Sequence, residues 1–153
     1  MSGDHTDDAG HESHRPEDHQ HGGHEHLSHV PDGARPAVFA ARAALVFDPP
    51  AHADLLEDAV IRFLALLSEG LTAAGCTLVG HIKGVVSAGG RGDLAFHATA
   101  LGAAPALTGG VAGSVGDATL TINVIVFGVD EQALPALVRR AWADATDAAT
   151  TWR

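Results

Sequence analysis

The chain has 153 residues, of which 46% are hydrophobic, with a single cysteine and a formal net charge of −10. The lone cysteine excludes an internal disulfide and a paired-cysteine metal site, and an acidic chain without a basic stripe is a poor partner for nucleic acid. No apolar run reaches the 18 residues of a membrane-spanning helix, and the first residues lack the basic and apolar regions of a signal peptide, so we expect no membrane association and a cytoplasmic location.

Residues 1–35 are predicted to be a separate disordered segment. Residues 1–33 carry eight Asp or Glu against one Arg, a net charge of −7, and almost no apolar side chains. Burial therefore cannot offset the entropy cost of ordering them. The same segment holds eight of the eleven histidines in the chain: His5, His11, His14, His19, His21, His24, His26 and His29.

These histidines predict metal binding. Neutral imidazole is a ligand for Zn²⁺, Co²⁺ and Ni²⁺, and neighbouring carboxylates add oxygen donors without selecting one of these ions. The densest group places four imidazoles within eight residues, close enough for a flexible chain to wrap one ion: His19, His21, His24 and His26. A solubility segment or a tag remnant is the alternative, although a tag would have consecutive histidines.

Residues 36–147 are predicted to form one domain that begins with a strand at residues 37–47. The strand alternates, with Phe39 and Phe47 on its apolar face, and Asp48-Pro49-Pro50 is predicted to stop it and to cap a helix. From residue 51 the apolar residues recur every three or four positions, and Gly75 is the predicted stop. This spacing predicts one buried helical stripe of Leu56, Val60, Phe63, Leu67 and Leu71.

The central strand of the domain is predicted at residues 77–87, TLVGHIKGVVS. A period of two places His81 and Lys83 on one face, together with Val79 and Val85. The opposite, core-facing side is predicted to comprise Leu78, Ile82 and Val86.

A glycine-rich hairpin is predicted to follow, so that residues 94–101, LAFHATAL, return antiparallel to the central strand. This register places His97 opposite Lys83 and Thr99 opposite His81. Residues 102–116 are predicted to be a loose loop of alanine and glycine, without the lysine and helix of a phosphate-binding loop.

The last predicted elements are a strand at residues 118–127, ATLTINVIVF, and a helix opened by Asp130 and Glu131. The strand has a polar face with Thr119, Thr121 and Asn123. The buried side of the helix is predicted to consist of Leu134, Leu137, Val138 and Trp142. Residues 148–153, after the helix, are predicted to fray.

The element order strand-helix-strand-strand-strand-helix predicts an α+β fold, a two-layer sandwich. We expect a mainly antiparallel four-stranded sheet with two helices on one face. The other face would gather His81, Lys83 and His97, which is either an ordinary exposed polar face or a surface for a partner or ligand. Because Lys83 would repel a cation, the arrangement disfavours a metal there.

The element order and several motifs resemble the C-terminal domain of the CobW family of GTP-dependent metal chaperones. The matching pieces are HIKGVV with Lys83-Gly84, LAFHAT with Phe96-His97, and INVIVFGVDEQAL with Gly128. Residues 1–35 resemble the histidine-rich linker of that family. The chain departs from the family pattern because it has no Walker A loop and no Cys-x-Cys-Cys motif. The resemblance implies a metal-handling accessory domain acting with a separate GTPase or a metalloenzyme client.

Three classes of function follow from these features. The first is a metal-binding accessory protein that captures Zn²⁺, Co²⁺ or Ni²⁺ for delivery. The second is a protein-interaction domain with an incidental histidine-rich segment. The third is a small ligand-binding protein or enzyme that uses the face bearing His81 and His97. Since no catalytic motif is recognised, we expect that the protein is not an enzyme.

Overall fold

A computed structural model describes residues 35–153, which form one six-stranded antiparallel sheet and two α-helices. The strand order is β4-β3-β2-β5-β1-β6. The predicted α+β class is confirmed, whereas the predicted count of four strands is wrong. The elements in chain order are β1 (Ala37–His52), α1 (Ala53–Ala73), β2 (Leu78–Ser87), β3 (Gly92–Ala98), β4 (Ala106–Val111), β5 (Ser114–Phe127), α2 (Leu134–Ala145) and β6 (Ala149–Trp152).

The core lies between the helices and one face of the sheet. Alternate residues of β5 from Ala118 to Val126 are buried, and the predicted stripe of α1 is buried along its whole length, joined by Leu64. The Phe63 ring makes edge-to-face contacts with Trp142 of α2 and with Phe96 of β3. The distances between ring centroids are 5.3 Å and 6.1 Å, respectively. Neither helix within residues 35–153 has the length and apolar character needed to cross a bilayer.

The boundary between β1 and α1 differs from the prediction. The strand continues past Pro49 and Pro50, and α1 begins at Ala53 after His52, whose side chain makes no capping hydrogen bond. The register with β5 shifts between Val46 and Ala51, so both prolines lie where the ladder is interrupted and no backbone N–H is needed. The strand therefore passes through a sequence that normally ends one.

The C-terminus of α1 is a Schellman motif at the predicted stop. Gly75 adopts φ = +84°, and its N–H donates to the Thr72 carbonyl at 3.1 Å. The next N–H, of Cys76, donates to the Leu71 carbonyl at 2.9 Å. This geometry needs a positive φ, which explains why glycine occupies the position.

A bulge at Gly80 changes which residues of β2 face the core. Val79 pairs with Val126 and His81 with Ile125, so Gly80 is an extra residue on β2. Val79 is consequently buried and Leu78 only half-buried, the reverse of the predicted arrangement. Beyond the bulge the predicted phase holds, with Ile82 buried in the core.

Strand β4 lies within the stretch that the sequence predicts to be a loop. It pairs with β3 from Gly92↔Val111 to His97↔Ala106. Alanine, threonine and two glycines give this edge strand little propensity and no clear alternation. Its order therefore comes from backbone pairing to β3, which periodicity cannot reveal.

Strand β6 replaces the predicted fraying of the C-terminus. It pairs with β1 between Ala43↔Trp152 and Val46↔Ala149. The Trp152 ring contacts Phe39 edge-on at 6.0 Å, and the Trp142 Nε1–H donates to Thr150 Oγ1 at 3.2 Å. The pairing with β1 and the contact with Phe39 join residues far apart in the sequence, so the local composition gives no sign of this strand.

Helix α2 starts later than predicted. Asp130 belongs to the preceding turn, where its carboxylate accepts a hydrogen bond from the Gln132 N–H at 2.7 Å. The helix itself begins at Leu134 with proline next to its start. Three predicted core residues are buried, namely Leu134, Val138 and Trp142, while Leu137 is half-buried.

Candidate functional site

The side of the sheet away from the helices, here called the open face, carries the folded-domain residues that the sequence singled out. Lys83 of β2 lies directly opposite His97 of β3, as predicted, and opposite Asn123 of β5 on its other side. His81 lies two residues before Lys83 on the same face. The predicted pairing of His81 with Thr99 is not part of the ladder, because β3 ends at Ala98.

A hydrogen bond fixes the side chain of Asn123. His81 Nε2 lies 3.0 Å from Asn123 Oδ1. Since an amide oxygen only accepts, Nε2 carries the proton and donates. Both Nδ2–H groups of Asn123 therefore remain available to donate to another group. His81 thus positions an amide donor beside Lys83.

The middle of the open face is a hollow of about 630 Å³. Its base and walls consist mainly of small or apolar side chains on five different strands, among them Ala40, Val85, Ala95, Thr108 and Thr121. The charged or ionisable residues that line it are Arg42, Lys83 and His97. The hollow exists because short side chains lie next to one another across four neighbouring strands, from Thr121 through Val85 and Ala95 to Thr108.

Gly84 shapes the base of this hollow. It pairs with Phe96, and a Cβ added to Gly84 would overlap the Phe96 ring. The ring therefore covers the glycine on the core side, a pairing that stabilises glycine in a strand. The Lys-Gly and Phe-His dipeptides that carry the family resemblance thus lie opposite each other, and their glycine and phenylalanine have a packing role.

The eight histidines of the predicted metal segment lie outside the described residues. Within residues 35–153, no group of three or more His, Cys, Asp or Glu side chains is placed to hold a metal ion. His81 and His97 share the open face, but Lys83 lies directly opposite His97 and two residues after His81 on the same face. A cation at that position opposes the binding of a second cation.

Cys76 lies at the end of α1 and is half-buried. Burial raises the pKa of its thiol, which outweighs the opposing effect of hydrogen bonds to the Leu78 and Phe127 backbone. Its Sγ lies 3.5 Å from the Leu78 carbonyl oxygen and donates to it. A raised pKa keeps the thiol protonated near neutral pH, the opposite of an activated nucleophile.

Sequence reasoning missed two contributors to the hollow. Arg42 lies on the exposed side of β1, and its proximity to Lys83 depends on β1 and β2 both flanking β5. Thr108 belongs to β4, which was not predicted. The outward position of Arg42 in the alternation of β1 is the one signal available in the sequence, and it becomes informative only with the strand order.

No family model, no curated protein and no solved structure matches the chain. The resemblance to the CobW C-terminal domain therefore stays a prediction that depends on the quoted motifs and the element order.

Proposed function

We propose that the protein is a metal-binding accessory protein that captures a divalent ion, Zn²⁺, Co²⁺ or Ni²⁺, through the histidines of residues 1–33. The observation that carries the proposal is the concentration of eight histidines and eight carboxylates in these residues. Imidazole nitrogen and carboxylate oxygen together form the ligand set of many sites for these ions. The net charge of −7 also attracts cations before any ligand binds.

The four closely spaced histidines form the tightest site in this proposal. Ligands separated by one or two residues can close around one ion with little loss of chain entropy. The more dispersed histidines supply weaker or additional sites, namely His5, His11, His14 and His29. The protein would therefore hold more than one ion at saturation, with affinities that differ between the dense and the dispersed groups.

Calorimetric titration of the full chain with Zn²⁺, Ni²⁺ and Co²⁺ tests this assignment. Replacing His19, His21, His24 and His26 by Ala should remove the tightest site. The matched control replaces His81 and His97 by Ala and should leave that site intact. The reverse pattern, with binding kept in the first variant and lost in the second, would move the metal site onto the folded domain.

The folded domain, in the same proposal, docks a partner protein through the open face. Support comes from the exposure there of Val38 and Val46, at 42% and 46%, beside the hollow. A separate GTPase or a metalloenzyme client is the partner that the family resemblance implies. The second candidate function is a ligand-binding domain, which the size of the hollow favours.

A further inference from the structure

The hollow on the open face concentrates positive charge. Arg42, Lys83 and His97 line it, and no Asp or Glu does. This is contrary to the composition of residues 34–153, where eleven acids outnumber eight Arg and Lys. On β3 the next carboxylate along the same face is Asp93, which lies toward the hairpin and accepts a hydrogen bond from Ser87 Oγ at 2.6 Å.

The two permanent cations have no anionic partner within the described residues. The salt bridges of residues 35–153 are His52–Asp54 and Arg140–Asp144, neither of which involves Arg42 or Lys83. Both cations are exposed, and they lie on the two strands that flank β5. Arg42 is opposite Thr121, and Lys83 is opposite Asn123. Side chains of this length can both reach a group placed above Thr121.

Neutral donors lie between the two cations. The Thr121 hydroxyl is on the exposed side of β5, and Asn123 has two N–H groups available because His81 fixes its amide oxygen. Together with the guanidinium and ammonium groups they form a set of donors suited to a carboxylate, sulfonate or phosphate. Val85, Ala95 and Ala40 form an apolar surface directly beside this set.

We propose that the hollow binds a small organic anion. Its acidic group accepts hydrogen bonds from Arg42, Lys83, Thr121 and Asn123, while its apolar body lies on Val85 and Ala95. A volume of about 630 Å³ is within the range of small-molecule sites. The inference does not depend on metal capture, because the anion site lies wholly within the folded domain.

Fluorescence titration of the full chain with two matched probes tests the proposal. 8-Anilinonaphthalene-1-sulfonate has an apolar body and one sulfonate, and N-phenyl-1-naphthylamine has the same body without the charge. The sulfonate should bind about tenfold more tightly, the scale of one or two charge-assisted hydrogen bonds. Its advantage should decrease with added salt, since exposed charges are screened. Equal affinities for the two probes would overturn the proposal.

Variants locate the site. Arg42→Gln and Lys83→Gln should each weaken the sulfonate probe about tenfold and leave the neutral probe within about twofold. Arg62→Gln, at an exposed position on α1, is the matched control and should change neither. Ala95→Phe fills the hollow with a residue favoured in strands and should abolish binding of both probes. Sulfonate binding unchanged in Arg42→Gln, Lys83→Gln and Ala95→Phe would place the probe elsewhere and refute the assignment.

Discussion

Gly84 lies at a point where the core and the hollow are separated only by the backbone of β2. The Phe96 ring covers its core side, and the hollow lies on its other side. A methyl group at this position has no free space on the core side. The absence of a side chain at this position therefore allows the close packing of the Phe96 ring against β2.

Gly84→Ala should lower the free energy of unfolding by about 1–3 kcal/mol, the usual cost of overpacking. Urea denaturation measures the change. Gly90→Ala is the matched control, because a Cβ there meets nothing within 4 Å, and it should stay within about 0.5 kcal/mol of the parent. A second arm combines Gly84→Ala with Phe96→Leu. If the cost of Gly84→Ala does not change in that background, the Phe96 ring is not its cause.

The burial of Trp142 was predicted correctly, but its hydrogen-bond partner Thr150 lies on β6, a strand that was not predicted. Its ring is fully buried, and its Nε1–H donates to Thr150 on β6. Thr150→Val removes the acceptor while keeping the shape, so the indole N–H is left unpaired. The stability should decrease by about 1–3 kcal/mol.

Thr151→Val is the control for this change, since it lies on the same strand with its side chain exposed. Its effect should remain within about 0.5 kcal/mol. Chemical denaturation followed by tryptophan fluorescence measures both variants. Equal effects of the two substitutions would show that the hydrogen bond to Trp142 does not hold β6 in place.

Hydrophobic periodicity correctly predicted the helices and strands in which buried residues recur at regular intervals. Helix α1 and strand β5 present one apolar face each, so their spacing alone identified the buried residues. Strands β4 and β6 were missed because their order comes from pairing with another strand: β4 with the preceding β3, and β6 with β1 at the other end of the domain sequence. The bulge at Gly80 was missed for the same reason, since an extra residue is defined only relative to a partner strand.

The candidate site was predicted in part. Alternation placed His81, Lys83 and His97 on one face, and the hairpin length gave the correct opposition of Lys83 and His97. The contributions of Arg42 and Thr108 require the strand order and the presence of β4. A site assembled from five strands is therefore only partly visible in the sequence of any one of them.

Phe63 links the two helices to the sheet. Its side chain is fully buried and contacts Trp142 and Phe96. Phe63→Ala should therefore cost about 3–5 kcal/mol. Ile61→Ala, two positions away on the exposed side of α1, is the control and should cost less than about 1 kcal/mol. Similar costs for the two substitutions in urea denaturation would contradict this assignment of the core.

Charge and the proposed functions divide along the chain. Residues 1–33 carry a net charge of −7 and the proposed metal ligands, whereas the folded domain places unpaired cations on its open face. The two proposed sites therefore prefer ligands of opposite charge. A substitution that removes one of these sites should leave the other site intact. Each proposal can therefore be tested in the full chain.

The pH dependence of metal affinity is the sharpest test of the ligand type. Ligand imidazoles must be neutral, so protons and metal compete for the same nitrogens. With a histidine pKa of about 6.5, each ligand imidazole costs about tenfold in affinity between about pH 7.5 and pH 5.5. Two ligands would weaken binding about 100-fold and four about 10,000-fold. Calorimetry at several pH values gives the number of ligand imidazoles, with the His81 and His97 double variant as control. Affinity that is unchanged over this range would assign the metal to carboxylates, which ionise near pH 4, instead of histidines.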